Sequence, residues 1–593
     1  MKQYLLPMIL LAGLLSGCTK NKIENVIPPL SVGSTTSSSI RLYNFCFEAL
    51  DISVNNNPLT SFSTSLATGG TALGLSLFPT GAWQTGNDGS PFSIPNSLLD
   101  KNNMVHIHIV SRGSGVSNAS FIIDTILGNN PASPTNYYVL DGTPHVLIVP
   151  ALNTPPVQTQ DVKIRVVNLG APGDPLNLSG PVTLTYADGT PVSAATSNVP
   201  LGATGAYAEI PYGSYELKLF ISSGSGINIT RQLTEVPLYP NYDPCGSDPP
   251  QEGIWTVLRT YAPGGVYSLV VTPNLLRYFA CNSNNTSAVG VVLNTYHVTT
   301  ELNPPTNINY ARMQGVNALQ TGPVSFQVDG QPLGSGLGLG QPTDYGIFVQ
   351  GPHQISVTDA SGKVLAQKSI TLYPFDCYTL WAYPDPGGAP DIAFANCNMT
   401  GNVYDSTYAN GQAGQEDNGT DGALRILNVP YAWQSRFLNL APDLPYATFT
   451  NDSTLFTDME VSGDATYGYY PSCINLSPGL LPADNPYVLY SLLKWPPSAD
   501  PLSQGLTGGL RLPALIRAYQ SSPGPEIEIP GNLLTGVNAL SVQQGFVANP
   551  ALYSPGFLPG GEPGAYTTAL IGQVGAAPGS ALHARLIVIK HNK

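Results

Sequence analysis

One short pattern recurs along this chain and constrains its fold more than any other feature. An apolar residue is followed by Arg, by another apolar residue, by one further residue and then by Asn, most clearly at residues 164–168. Near variants stand at residues 40–44, 424–428 and 516–520, and a looser copy stands at 311–315. Each copy opens an alternation of apolar and polar residues, which predicts a β-strand with one buried face. The recurrence therefore predicts a domain repeated about five times.

A second fixed position supports the repeat. A Tyr heads a late strand in each unit, and in four of the five it is followed two residues later by Leu; the five are Tyr138, Tyr267, Tyr378, Tyr487 and Tyr566. The spacing between Arg and Tyr varies, which places the insertions in loops. Because its neighbours point inward, the recurring Arg is expected to face out of its sheet or to pair at an edge, in a structural role.

The strand order and the lack of helical periodicity predict an all-β chain. We expect a tandem array of about five immunoglobulin- or transthyretin-like β-sandwich domains. The predicted divisions are a signal peptide at 1–17, a tether at 18–37, repeats at 38–155, 156–300 and 301–415, a divergent fourth repeat at 416–505 and a fifth repeat at 506–593.

Composition narrows the class of protein. At 593 residues the chain is too long for one hydrophobic core. Charged residues make up only 10% of it, against about 25% in an ordinary globular domain. The formal net charge is −14, with 23 Lys and Arg residues and no basic run, so a nucleic-acid partner is not expected.

The first residues predict export. Lys2 precedes a short apolar run that ends in Leu15-Ser16-Gly17-Cys18, which has the layout of a signal peptide rather than of a membrane span. This ending resembles the lipobox of bacterial lipoproteins, and the resemblance implies that Cys18 becomes the first mature residue and carries the acyl chains. Thr19 rather than Asp follows it, which favours the outer membrane. The membrane is thus an expected partner through a lipid anchor, with the leaflet left open.

An exported chain can form disulfides. The preferred pair is Cys377–Cys397, because both residues fall in one predicted repeat near its closing strands. Cys245–Cys281 is a similar candidate.

Residues 416–422 form the densest acidic stretch. Its Asp417 and Asp421 lie on either side of a Gly, and carboxylate oxygens spaced in this way suit Ca²⁺. The stretch lacks the Glu that an EF-hand needs beyond its Gly, so a linker between domains is the alternative. No other cofactor is expected. His106 and His108 lie two apart on a strand, a spacing that can hold a metal, but no Cys, Asp or Glu stands close to them in the sequence.

Three Trp residues lie in loop-like surroundings and are candidates to stack on a sugar or to contact a cell-surface protein: Trp83, Trp433 and Trp495. The alternative interpretation is that each Trp side chain packs against its own domain.

The repeat carries a family resemblance. The strand at 164–168, the hairpins at 181–189 and 323–330 that turn at Asp-Gly, and the later Tyr strand resemble a bacterial β-sandwich family catalogued as a domain of unknown function. Its members are tandem repeats in lipoproteins and other exported proteins. The resemblance implies a fold and a location in the cell envelope or outside the cell, and it implies no activity.

The function expected from these features is binding, adhesion or spacing by a non-enzymatic lipoprotein of the outer membrane or cell surface. No Gly-x-Ser-x-Gly, His-Glu-x-x-His or P-loop motif is present, so an enzyme is not expected. One alternative is a glycan-binding lipoprotein of a polysaccharide-uptake system. Another is a hydrolase with a site in the loops of the divergent repeat.

Overall fold

The computed structural model describes a large part of the chain in separate stretches. These are residues 37–45, 50–58, 92–111, 121–140, 144–151, 154–172, 179–222, 232–233, 235, 256, 258–282, 285–305, 309–397, 402–405, 425–428, 432–456, 473–481, 488–491, 515–523, 530–541, 545–552 and 562–593. Only the backbone is described at 57–58, 92, 274–282, 285–293, 402–405, 425–428, 432–434 and 488–491. The described part is an all-β, multidomain array of sandwiches, as the sequence predicts.

Unit 1 is a sandwich of two four-stranded sheets. Its strands are β1 (Ser37–Asn44), β2 (Asp51–Val54), β3 (Asn57–Pro58), β4 (Phe92–Pro95), β5 (Met104–Val110), β6 (Ile122–Gly128), β7 (Thr135–Val139) and β8 (Val146–Pro150). The front sheet has the order β4-β1-β7-β8, and the back sheet has the order β3-β2-β5-β6. In every unit, "front sheet" means the sheet that holds the first strand.

Unit 2 has a front sheet and two small two-stranded back sheets. Its strands are β9 (Asp161–Asn168), β10 (Val182–Thr185), β11 (Ala203–Thr204), β12 (Ala208–Pro211), β13 (Gly213–Tyr215), β14 (Lys218–Ile221), β15 (Arg259–Tyr261), β16 (Val266–Asn282) and β17 (Asn285–Leu302). The front sheet has the order β11-β9-β16-β17, with β12 also paired to β9. The back pairs are β10-β14 and β13-β15.

Unit 3 repeats the arrangement of unit 1. Its strands are β18 (Tyr310–Asn317), β19 (Val324–Val328), β20 (Gln331–Leu337), β21 (Gly346–Val349), β22 (Gly351–Asp359), β23 (Val364–Leu372), β24 (Cys377–Pro384) and β25 (Pro390–Asn396). The front sheet is β21-β18-β24-β25 and the back sheet is β20-β19-β22-β23. A separate two-stranded sheet follows, made of β26 (Asn402–Asp405) and β27 (Arg425–Asn428).

Unit 4 takes its strands from both of the last two predicted repeats. They are β28 (Ala432–Leu440), β29 (Ala447–Asn451), β30 (Thr454–Leu455), β31 (Val488–Ser491), β32 (Leu515–Gln520), β33 (Asn532–Leu533), β34 (Leu540–Ser541), β35 (Gly564–Ile571) and β36 (Arg585–Lys590). The front sheet is β31-β28-β35-β36, and the back sheet is β30-β29-β32-β33 with β34 also on β32. Short 3₁₀ helices in the chain span Asn96–Leu98, Ala194–Thr196 and Pro550–Leu552.

The four described units share one front-sheet topology. In each, the first strand runs parallel to a late strand, which then pairs antiparallel with the last strand. These parallel pairs are β1–β7, β9–β16, β18–β24 and β28–β35. Three units also share a two-residue hairpin in the back sheet with both turn residues at positive φ, the geometry of a type I′ turn. Its turn residues are Asn55-Asn56, Asp329-Gly330 and Asp452-Ser453.

The sheet pairing corrects the division between the fourth and fifth predicted repeats. The predicted boundary at 505/506 falls inside unit 4, because β28 pairs with β35 and β29 pairs with β32. Two segments that were predicted to be first strands of a repeat are not first strands in the structure. Residues 424–428 contain β27, which pairs with β26, and residues 516–520 lie on β32 in a back sheet.

Each unit buries its own apolar core between its sheets. Unit 2, for example, packs Val162, Ile164 and Val166 of β9 against Leu184 and Leu219 of its back strands. Because successive side chains of a strand point to opposite faces, Lys163, Arg165 and Val167 lie on the other face of β9. That outer face is also covered, and the cover comes from a neighbouring unit.

Candidate functional site

Most residues predicted to form a site lie outside the described residues. These are Cys18, Trp83, Cys245, Asp417, Asp421 and Trp495. Trp433 lies on β28 and Cys281 on β16, where only the backbone is described. Among the residues that the structure does describe, no group of three or more His, Cys, Asp or Glu side chains could hold a metal ion. The chemistry that can be described lies instead where units meet.

The first-strand Arg of unit 2 faces out of its sandwich and is nevertheless buried. Arg165 is 6% exposed. Its Nη2 donates to Glu301 Oε1 at 2.6 Å and to the carbonyl of Pro150 at 2.8 Å. Glu301 belongs to the same front sheet, while Pro150 ends the last strand of unit 1. The alternation correctly predicts an outward Arg, but that Arg pairs inside an interface between units.

The sheet register identifies the equivalent position in units 3 and 4. Arg165 pairs with Ser268, the residue after Tyr267. The residue after Tyr378 pairs with Gln314, and the residue after Tyr566 pairs with Arg436. The looser sequence copy at 311–315 is therefore two residues out of register, because unit 3 has Gln314 at this position, and the first-strand Arg of unit 4 is Arg436. Arg436 is 1% exposed and donates through Nη2 to Asn396 Oδ1 of unit 3 at 2.9 Å.

The Asn of the motif has a separate task inside each sandwich. Three positions after the Arg, Asn168 donates through Nδ2 to the carbonyls of Gly180 at 2.8 Å and Val199 at 3.0 Å. Asn317 and Asn439 stand three positions after Gln314 and Arg436, and each also donates to two backbone carbonyls. All three Asn side chains are buried, so these bonds satisfy amide nitrogens that have lost water. The motif thus combines a residue that faces out of the sandwich with an Asn that faces inward and binds backbone carbonyls of its own unit.

Units 1 and 2 meet through their front sheets. A shared apolar cluster includes Tyr43, Phe45 and Tyr138 from unit 1 with Val167 and Val270 from unit 2. The ring of Phe45 stacks on His297 with centroids 3.8 Å apart and an interplanar angle of 2°. Burial lowers the pKa of His297 to about 3, so the imidazole is neutral in this stack at neutral pH.

Units 3 and 4 meet in the same way. Their shared cluster joins Val316, Trp381 and Ala395 to Leu438, Ile571 and other apolar residues of unit 4. His591, at the end of the chain, enters this interface and is 1% exposed. Gln314 Nε2 lies 3.0 Å from its Nδ1, and the hydroxyl of Thr567 lies 2.7 Å from its Nε2. If Gln314 donates, Nδ1 accepts and Nε2–H donates to Thr567.

The predicted Cys377–Cys397 pair lies beside this histidine. The two residues face each other across β24 and the end of β25, where the Cys397 amide donates to the Cys377 carbonyl at 2.6 Å. Both are buried free thiols in this structure. The hydrogen bond to Cys397 and burial raise the pKa of the Cys377 thiol. The residues are thus brought together as predicted, and the disulfide itself stays a prediction.

Units 2 and 4 meet around four charged groups, of which three are buried and Lys590 is partly buried. Lys218 Nζ lies 2.7 Å from Glu562 Oε1, and Lys590 Nζ lies 2.9 Å from Glu216 Oε2. Lys590 also reaches Glu562 Oε2 at 3.2 Å, which links the two pairs. Burial alone would lower the pKa of Lys590, but Glu216, Tyr566 and Glu562 outweigh it and raise that pKa. Two lysines and two glutamates therefore neutralise one another in the interface.

His106 and His108 also find a partner that the sequence did not reveal. Asp124 lies across the sheet on β6, with Oδ1 2.5 Å from His106 Nε2 and Oδ2 3.0 Å from His108 Nδ1. The hydrogen bonds from His106 and then His108 lower the pKa of Asp124. Cross-strand register could have suggested the contact, since His108 pairs with Asp124. The residues that connect the two strands, 112–120, lie outside the described residues.

The fold and its interfaces define an all-β protein of repeated sandwiches that pack on one another. Comparison with protein-family models and with curated proteins found no match. None of the helices in the described stretches is long and apolar enough to cross a membrane. The function is therefore inferred from the geometry of this chain alone.

Proposed function

We propose that the chain is a non-enzymatic outer-membrane lipoprotein, anchored through Cys18 and displayed at the cell surface, that binds or adheres through loops held on a fixed scaffold. The observation that carries the proposal is the buried charge cluster between units 2 and 4, in which Lys218 and Glu562 are 0% and 1% exposed. A display scaffold needs its modules held at fixed angles, and this interface supplies such a constraint.

The buried interfaces favour a scaffold over a flexible spacer. Domains joined only by a linker normally move relative to one another, unless a large apolar interface holds them. Here Phe45 and Trp381 each lie in an apolar cluster shared by two units. Separating the units would also expose paired charges such as Lys590 and Glu216. The apolar clusters and the paired charges both resist movement of one unit relative to another.

One long hairpin supports the display role. β16 pairs with β9 only from Val266 to Val271, whereas its pairing with β17 continues to Asn282. At ~3.3 Å per residue, the further run of β16 extends for roughly 35 Å. A two-stranded ribbon that continues past its sheet is a suitable arm for contact with another surface.

An attachment assay tests the proposal. Intact cells that carry the chain are compared with cells that lack it, on surfaces coated with polysaccharide or with protein. We expect attachment to fall when the chain is absent and to return when it is restored. Equal attachment of both strains, or turnover of an ester or glycoside by the purified chain, would overturn the proposal.

A further inference from the structure

A four-residue turn between β23 and β24 has an unusual third residue. The Asp376 amide donates to the Tyr373 carbonyl at 3.1 Å, which closes the turn. Pro374 occupies the second position and Phe375 the third, where φ is +66°. Pro followed by a residue at positive φ is the pattern of a type II turn, and that third position normally belongs to Gly or Asn. A bulky side chain there strains the backbone.

A second turn in the same chain shows the ordinary solution. The Leu480 amide donates to the Ser477 carbonyl at 3.3 Å, again with Pro in the second position. Its third residue is Gly479, with φ +71°. The same backbone is thus made without strain elsewhere, and Phe375 stands where folding alone would favour Gly.

Core packing does not explain the aromatic side chains of this turn. Tyr373 is 64% exposed and Phe375 is 46% exposed. The backbone beneath them is nevertheless fixed, because Asp376 Oδ2 accepts from the Tyr373 amide at 2.8 Å and the Asp376 carbonyl accepts from the Arg312 amide at 2.8 Å. Strain and exposed apolar area are both unfavourable for folding, and such costs concentrate at binding sites.

Polar and apolar groups surround the turn at the same end of unit 3. The Phe375 amide donates to the carbonyl of Tyr310, and Tyr310 pairs with Val349 on the adjacent strand. The Gln350 amide donates to the carbonyl of Asn309 at 2.7 Å, so these two exposed amide side chains flank the same strand end. Backbone hydrogen bonds therefore bring two exposed aromatic residues and two exposed residues with neutral amide side chains to the same end of unit 3.

We propose that Tyr373 and Phe375, with Asn309 and Gln350, form a subsite for a neutral glycan chain. Aromatic rings pack on the apolar faces of sugar rings, and amide side chains both donate to and accept from sugar hydroxyls. The one carboxylate in the turn, Asp376, is engaged with the backbone. A protein ligand is less suited, since a stable protein interface covers about 800 Å² on each partner and two half-exposed rings offer a fraction of that. This subsite rests on the proposed binding function and names its ligand class.

The test uses the purified full chain on an array of neutral α-glucans, β-glucans, xylans and mannans, followed by calorimetric titration with the strongest-binding oligosaccharide. Tyr373→Ala and Phe375→Asn remove the rings, and Asn still allows the left-handed turn. Leu480→Ala is the matched control, because Leu480 is 66% exposed beside the other Pro-containing turn. We expect both ring variants to weaken binding at least tenfold, with the control unchanged. The melting temperature of Phe375→Asn should not fall, which separates lost binding from lost folding.

The subsite would be overturned if the wild-type chain retains no neutral glycan, or if the ring variants and the control bind alike. The attachment assay then distinguishes this failure from failure of the proposed function. Attachment that depends on Tyr373 and Phe375 without any glycan binding would show a protein ligand, which overturns the subsite and leaves the binding function. Attachment that does not depend on the chain would overturn both.

Discussion

Lys218 and Glu562 are separated by 344 positions in the sequence, yet Nζ of one lies 2.7 Å from Oε1 of the other in a fully buried contact. The pair joins the back of unit 2 to unit 4, and Lys590 and Glu216 complete the charge balance around it. The contact therefore fixes how two distant parts of the chain lie together.

Removing one member of this pair should destabilise the chain strongly. Lys218→Met or Glu562→Gln leaves an excess buried charge, which typically costs about 3–5 kcal/mol. The double variant should cost at least about 1 kcal/mol less than the sum, because the two residues are coupled. Urea unfolding measures all three. Lys368→Met is the control, since its pair with Asp391 is 41% and 31% exposed and should contribute less than about 1 kcal/mol. Additive effects would show that the contact is absent.

The stability costs of replacing Arg436 and Arg517 distinguish the observed four units from the five predicted repeats. Arg436 is buried against Asn396 of unit 3, while Arg517 lies half-buried on a back-sheet strand. Arg436→Met should therefore cost about 2–4 kcal/mol through lost charged hydrogen bonds, and Arg517→Met about 1 kcal/mol or less. Chemical denaturation compares them. Equal costs would argue against Arg436 as the docking residue.

The neutral His297 predicts a specific loss of stability in acid. Its pKa is about 3 in the folded chain and about 6.5 when unfolded. Below pH ~6.5 the unfolded chain binds a proton that the folded chain does not, so stability falls as pH falls towards 3. By pH 5 the loss is about 2 kcal/mol. His297→Phe keeps a stacked ring and should abolish this part of the pH dependence, measured by urea unfolding at pH 7 and pH 5. If the free energy of unfolding of His297→Phe differs between pH 7 and pH 5 as much as that of the wild type, the prediction is wrong.

The control is His145→Phe, which replaces another histidine that stacks on a Phe.

The cysteines of unit 3 give a redox prediction. In the exported chain, we expect Cys377 and Cys397 to join, because they face each other across neighbouring strands. The link should stabilise the chain by about 3 kcal/mol, the value for a loop of similar length. Alkylation and peptide mass spectrometry should find the joined pair, and a reductant should lower the melting temperature of the wild type but not of Cys377→Ser. Burial raises the pKa of Cys473 to about 12, so that thiol should react slowly in both. Free alkylation of Cys377 in freshly exported protein would contradict this prediction.

The sequence predicts strands well because alternation is local. It correctly predicts all-β sandwiches, the first strands of units 1 and 2, and the Asp-Gly hairpin of unit 3. It does not predict the number of units, since Arg425 and Arg436 both stand three residues before an Asn. Only the pairing of β28 with β35, more than a hundred positions later, separates them.

The interfaces could not be read from local patterns for the same reason. Cys377 and Cys397 are predicted together because they share one repeat, but His591 reaches Cys397 from the other end of the next unit. Phe375 is missed because Pro-Phe is not a turn signature, and its positive φ depends on the strands that meet there. An Arg that faces out of one sheet gives no local sign that another unit will cover it.

Protease treatment of intact cells tests whether the chain is displayed at the cell surface. We predict that added protease cleaves the chain on intact cells, while a periplasmic marker in the same cells stays whole. Replacing Cys18 with Ala should remove the chain from the surface if the lipid anchor holds it there. A chain that resists protease until the outer membrane is opened, yet is cleaved afterwards, would contradict the claim.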